Sequence, residues 1–146
     1  MGLEATSYSW LRDGIKRTVP HFALLERVEN GVHIGTADVN YCIRGVEGWI
    51  ELKAVPLPSR EDTCVLGRRG LNEQQVNWHL ARMQVRSRTW VFITAAEYRW
   101  LVPGMYADEV NSWTREQLCI RARFHYDEKW SARQWERLVS ILTEPR

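Results

Sequence analysis

The segment ADVNYCIRGVEGWIELKAV, residues 37 to 55, limits the possible folds more than any other part of the chain. Val39, Tyr41 and Ile43 alternate with Asp38, Asn40 and Cys42. After RGVEG, Ile50 and Leu52 alternate with Trp49, Glu51 and Lys53. A period of two in both runs, with a glycine-bearing turn between them, predicts a β-hairpin. A turn centred near Val46 would set Ile43 opposite residue 49. It would also set Asp38 opposite residue 53 or 54, diagonal to Glu51. Opposed and diagonal side chains on one face of a hairpin lie roughly 5 to 8 Å apart. Asp38, Glu51 and Lys53 are therefore expected to meet at the open end of the hairpin. A slip of one residue would send Asp38 to the other face.

The remaining elements follow from period and punctuation. Residues 4–17 read as a helix, with Tyr8, Leu11 and Ile15 on one face and Pro20 beyond its end. HFALLERVEN reads as a strand ending at the Asn30-Gly31 turn. PLPSREDTCVLGRRG reads as a long mobile loop. LNEQQVNWHLARMQVRS reads as a helix opened by an Asn72–Gln75 capping box and buried through Val76, Leu80 and Met83. TWVFIT suits a central strand, and YRWLVPG a further strand. Thr114 with Gln117 and Ser131 with Gln134 open two C-terminal helices. The second of these carries the stripe Trp135, Leu138, Val139 and Leu142. The resulting order, α-β-β-β-α-β-(β)-α-α, is that of a mixed α/β domain. One domain is expected over residues 1–146, with a core at about 4–104 and a helical extension at about 105–146.

The net charge of +2 excludes a uniformly basic nucleic-acid binder, so any basic surface must be a local patch. The three cysteines, Cys42, Cys64 and Cys119, show no C-x-x-C spacing. They suggest reduced thiols and a cytoplasmic setting. No apolar run approaches the roughly 20 residues of a membrane-spanning helix, and no export segment opens the chain. Zinc arrays, phosphate loops of the G-x(4)-G-K-(S/T) type and nucleophile elbows are all missing from the sequence.

The polar residues of the hairpin carry the chemistry. Two carboxylates several ångströms apart suit Mg²⁺ or Mn²⁺, which keep coordination sites for water and phosphate. Such a cation polarises a phosphoryl oxygen and acidifies a bound water. A neighbouring ammonium can orient that water or offset charge in the transition state. Only three of the chain's 20 basic residues are lysines, Lys16, Lys53 and Lys129. A lysine at 53 therefore runs against the arginine habit of the chain. A compact ammonium does what a guanidinium fork does not.

GTADVNYCIRGVEGWIELKAV followed by LNEQQVNWH resembles the PD-(D/E)xK nuclease superfamily. The nearest likeness is to small phage and bacterial nucleases of the VRR-NUC and Holliday-junction-resolvase type. The shared pattern is G-x-P-D, a hairpin, (I/V)-E-x-K, then a helix bearing a glutamine, and it covers about residues 20–100. The resemblance implies a restriction-endonuclease-like core and Mg²⁺- or Mn²⁺-dependent hydrolysis of DNA. By the same likeness the expected substrate is branched DNA in recombination or repair, in a bacterial or phage-infected cell, where a homodimer would cut two strands symmetrically; the alternatives are a nuclease on nicks, flaps or single strands, and a non-catalytic DNA-binding protein that keeps the fold. It assigns Asp38 and Glu51 as metal ligands, Lys53 as the catalytic lysine and Gln75 as the supporting helix glutamine. Ala37 stands where the family has proline, which removes a rigid turn element but no ligand. A further acid usually completes these sites. Glu29 is expected in that role, with Glu4 on the first helix next and Glu26 also close in sequence.

Arg60, Arg68 and Arg69 on the loop, with Arg82 and Arg86 beyond it, are the expected contacts to the DNA backbone. Trp78 and Trp113 are candidates for stacking on a base or filling a dimer contact. Trp49, Trp90, Trp100 and Trp135 are assigned to packing. His33 reads as a solvated loop residue, and His79 and His125 as helix-surface or half-buried residues.

Overall fold

The computed structural model describes residues 3–28 and 35–145. Glu29 and His33 lie outside the described residues. The described elements run α1 (Leu3–Thr18), β1 (Ala23–Arg27), β2 (Val39–Ile43), β3 (Val46–Ala54), α2 (Glu73–Gln84), β4 (Thr89–Ala95), β5 (Tyr98–Pro103), α3 (Arg115–Arg121), β6 (Phe124–His125) and α4 (Ala132–Leu142). The strands form one six-stranded sheet in sequential order. Every neighbouring pair is antiparallel except β3 and β4, which are parallel and joined by the crossover that contains α2. The α-β-β-β-α-β order and the mixed sheet match the sequence reading. The two-residue β6 does not, because a strand that short carries no periodic signal.

Alternation divides the buried side chains between two faces. Leu25, Val39, Tyr41, Ile43, Ile50, Leu52 and Phe92 pack with Leu11 and Ile15 of α1 and with Trp135, Leu138 and Leu142 of α4. Val91, Ile93, Trp100 and Val102 point the other way. There they meet Val65, Leu66, Leu71, Val110, Trp113 and Leu118, with Val76 and Leu80 of α2 at the margin. The C-terminal helices are thus part of the two cores. All three capping boxes, Asn72–Gln75, Thr114–Gln117 and Ser131–Gln134, form as expected.

The hairpin turn is tighter than the sequence reading placed it. Arg44 and Gly45, both at positive φ, make a two-residue turn, so Ile43 pairs with Val46 and Val39 with Ile50. Positive φ at both central positions matches the right-handed twist of the flanking strands. The expected centre near Val46 is therefore corrected. Continuing the observed register puts Asp38 opposite Glu51, not Lys53, and leaves it on the face of Glu51 and Lys53.

The loop after β3 is anchored rather than mobile. Val65, Leu66 and Leu71 are buried in it, and the Val65 amide donates to the Trp113 carbonyl. Asn111 clasps Leu71 through both backbone groups, at 2.9 and 2.8 Å. Gly70 is required there, since a Cβ would sit 1.9 Å from Asn111 Oδ1.

Candidate functional site

Three elements deliver the polar side chains. Glu51 and Lys53 lie two residues apart on β3, and Asp38 sits just before β2. Asp38 Oδ2 accepts a hydrogen bond from the Leu52 amide at 2.8 Å, which ties the two strands together at this end. Gln75 comes from the first turn of α2. Its Oε1 accepts from the Asn72 amide at 3.0 Å, closing the capping box, and from Lys53 Nζ at 3.3 Å. Its Nε2 donates to Glu51 Oε2 at 3.4 Å. One glutamine thus both caps the helix and bridges the acid and the amine of β3. Of the sequence-predicted site residues, Asp38, Glu51, Lys53 and Gln75 are brought together.

Burial sets the electrostatics. Glu51 is 1% exposed. Desolvation comes first, then the hydrogen bond to Asp38 and its negative charge; together they push the Glu51 carboxyl from 4.5 up to about 10, against a smaller pull from Lys53. Glu4, in the first turn of α1, is also raised, by burial and then by Asp38, while Lys53 and Arg27 oppose the shift. Glu4 therefore senses the same cluster. Glu26 lies on the exposed part of β1, opposite Asn40.

His79 is the functional-site neighbour that the sequence reading missed. Helical periodicity predicts a surface or half-buried place for His79 and a buried stripe of Val76, Leu80 and Met83. In the structure His79 is the fully buried residue of α2, and the other three are only partly covered. Its Nε2 lies 3.7 Å from Glu51 Oε1. Burial drives its pKa from 6.5 down to about 4, with Asp38 opposing and Lys53 assisting, so the ring is neutral near pH 7. The available signal was its spacing, four residues after Gln75 on a helix, which sets both over β3.

The arginines separate by environment. Arg82 lies over the ring of Trp78 at 4.8 Å and that of Trp49 at 5.4 Å, and the two indoles meet edge to face. Trp49 shares the Glu51 and Lys53 face of β3, one strand repeat away. Gln75, Trp78 and Arg82, at i, i+3 and i+7, share one side of α2. Arg60 is exposed and paired with Asp62, two residues on. Arg68 and Arg69 are exposed in a short 3-10 turn, and Arg86 is exposed just after α2. Trp113 is buried and therefore cannot stack on a base, contrary to expectation.

Among the described residues no three His, Cys, Asp or Glu side chains converge into a cage that would hold a metal ion by itself. The carboxyls that could hold a cation are Asp38 and Glu51. Two adjacent carboxyls, one of them buried, could together hold a divalent cation. One or two carboxylates, with water and phosphate completing the shell, is how Mg²⁺ is usually held. A mostly apolar cavity of about 500 Å³ opens between α1 and the chain leaving β3. Its lining includes Leu3, Thr6, Ala54 and Val55, sequence neighbours of Glu4 and Lys53, together with Trp10 and Arg99. None of the described helices is long and apolar enough to cross a membrane. No known family model matches the chain, and no curated protein sequence does either.

Proposed function

We propose that this chain is a metal-dependent endonuclease with a restriction-endonuclease-like core, hydrolysing DNA phosphodiesters. The observation that carries this reading is the join between Glu51 and Lys53 through Gln75, with Asp38 beside them on the same face. In this proposal Asp38 and Glu51 hold Mg²⁺ or Mn²⁺, and Glu4 adds negative charge from α1. When bound, such a cation polarises a phosphoryl oxygen and acidifies water.

The chain's own residues supply the rest. Gln75 holds the Lys53 ammonium at the edge of the carboxylate pair, where it orients the attacking water and offsets charge on the phosphoryl group. Arg82, its guanidinium lying over two indoles, grips a neighbouring phosphate of the same strand. Arg60, Arg68, Arg69 and Arg86 are assigned to the wider DNA contact. Branched DNA in recombination or repair is the proposed substrate, cut by a homodimer in a bacterial or phage-infected cytoplasm.

The test offers purified protein with Mg²⁺ or Mn²⁺ a panel of junction, flap, duplex and single-stranded DNA, with Glu51→Ala run in parallel. Wild type is expected to cut the junction and Glu51→Ala to cut nothing. Equal cleavage by both proteins assigns the cutting to a contaminant and removes the proposal. DNA binding without cleavage under every metal condition replaces it with a non-catalytic binding protein.

A further inference from the structure

Four polar side chains are buried among the described residues: Ser7, Glu51, His79 and Thr89. Ser7 has a partner in Thr94. The other three together hold four buried polar atoms without a hydrogen-bond partner: Glu51 Oε1, His79 Nδ1, His79 Nε2 and Thr89 Oγ1. These atoms are neighbours in space. His79 Nε2 faces Glu51 Oε1 at 3.7 Å. On the far side of the ring, Thr89 Oγ1 and His79 Nδ1 both crowd Gly104, where a Cβ would meet them at 1.8 and 3.1 Å. Buried polar atoms normally have partners, so four orphans in one row are an anomaly that calls for a physical reason.

We propose that His79 is a positioning residue for Glu51. Its Nε2–H donates to Glu51 Oε1, and its Nδ1 accepts from the Thr89 hydroxyl, when a divalent cation is bound. This rests on the reading of Glu51 as a metal ligand. The 3.7 Å gap is just beyond hydrogen-bond range, so a small movement of the carboxyl closes the contact. A carboxylate that holds a cation is itself held in place by donors to its oxygens. Gln75 Nε2 already serves Oε2, and among the described residues His79 Nε2 lies 3.7 Å from Oε1. The neutral ring suits the task, since it donates at one nitrogen and accepts at the other. Gly104 belongs to the arrangement, because any side chain there would occupy the place of the Thr89 hydroxyl.

The test measures Mn²⁺ affinity calorimetrically, alongside unfolding temperature without metal, for wild type, Glu51→Gln, His79→Leu, His79→Gln and His79→Asn. His79→Leu is expected to keep the metal-free unfolding temperature, since it removes orphaned polar atoms. Its Mn²⁺ affinity is expected to fall about 10- to 100-fold, as for other groups that orient a metal ligand. His79→Gln, whose amide reaches the Nε2 position, should recover most of that loss, and the shorter His79→Asn should not. Wild-type affinity in His79→Leu overturns the proposal. If His79→Leu does not fold, equal affinities of the Gln and Asn variants overturn it. Absence of Mn²⁺ binding by wild type, or binding unchanged by Glu51→Gln, removes the metal reading of Glu51 and this inference with it.

Discussion

The Asp38 carboxylate accepts a hydrogen bond from the backbone amide of Leu52 at 2.8 Å. That contact clasps the residue before β2 to the C-terminal part of β3, and it holds Asp38 beside Glu51. Asp38 therefore has a structural duty and a proposed metal-binding duty, and two substitutions separate them. Asp38→Asn keeps an acceptor for Leu52 and removes the charge, so it should fold with near-native stability and lose Mn²⁺ binding and cleavage. Asp38→Ala removes both, and should in addition cost about 1–3 kcal/mol by leaving the Leu52 amide unpaired. Urea denaturation of the two variants, each paired with a cleavage assay, checks this.

Glu51 and His79 impose a distinctive pH profile on the metal-free protein. The folded state raises Glu51 from 4.5 to about 10, so across that window it binds a proton that the unfolded chain lacks, and stability falls as pH rises. The folded state lowers His79 from 6.5 to about 4, so between those values the unfolded chain holds the extra proton, and stability rises with pH. The two contributions cancel between about pH 4.5 and 6.5. Above 6.5 only the Glu51 contribution remains of the two, and stability falls as pH rises. Urea melts at pH 5.5, 7 and 8.5 should give a near-plateau and then a decline. Glu51→Gln should abolish the decline, and a decline that persists in that variant would assign it to other groups.

Lys53 is proposed to act on the reacting phosphate rather than in assembling the fold, since it is half-buried and bonded only to Gln75 among the contacts described. Lys53→Ala should reduce single-turnover cleavage about 10²- to 10³-fold, the usual cost of deleting one charge-stabilising donor. Its affinity for DNA, read by fluorescence anisotropy with Ca²⁺ in place of Mg²⁺, should change little. A parallel loss of affinity would make Lys53 a binding residue instead.

Arg82 is held over Trp49 and Trp78, which places its guanidinium along the same strip as the carboxylates. Arg82→Ala should weaken DNA binding equally across sequences and lower the slope of log affinity against log salt by about 1. Arg82→Lys should not restore the wild-type value, because an ammonium neither stacks flat nor contacts phosphate through a fork. An unchanged salt slope in Arg82→Ala would limit this residue to packing.

The alternating apolar residues on either side of Arg44-Gly45 determined the hairpin, and the three capping boxes determined where α2, α3 and α4 begin. These are local facts, set by the pleat of a strand and the orphan amides of a helix's first turn. The proximity of Asp38, Glu51 and Lys53 was also legible, because a two-residue alternation brings them to one face. Their register was not, since only the positive-φ pair at Arg44 and Gly45 decides which residues stand opposite. Tertiary packing alone decided the fate of His79 and of the loop after β3. Helical spacing treats His79 as one polar position among others, yet the sheet buries it over Glu51 while Val76 and Leu80 lie at the margin. The loop's prolines and glycines read as freedom, whereas Asn111, some 40 residues on, clasps it at Leu71. Contacts between residues so distant in sequence leave no periodic trace, because they arise only when separate elements pack against one sheet.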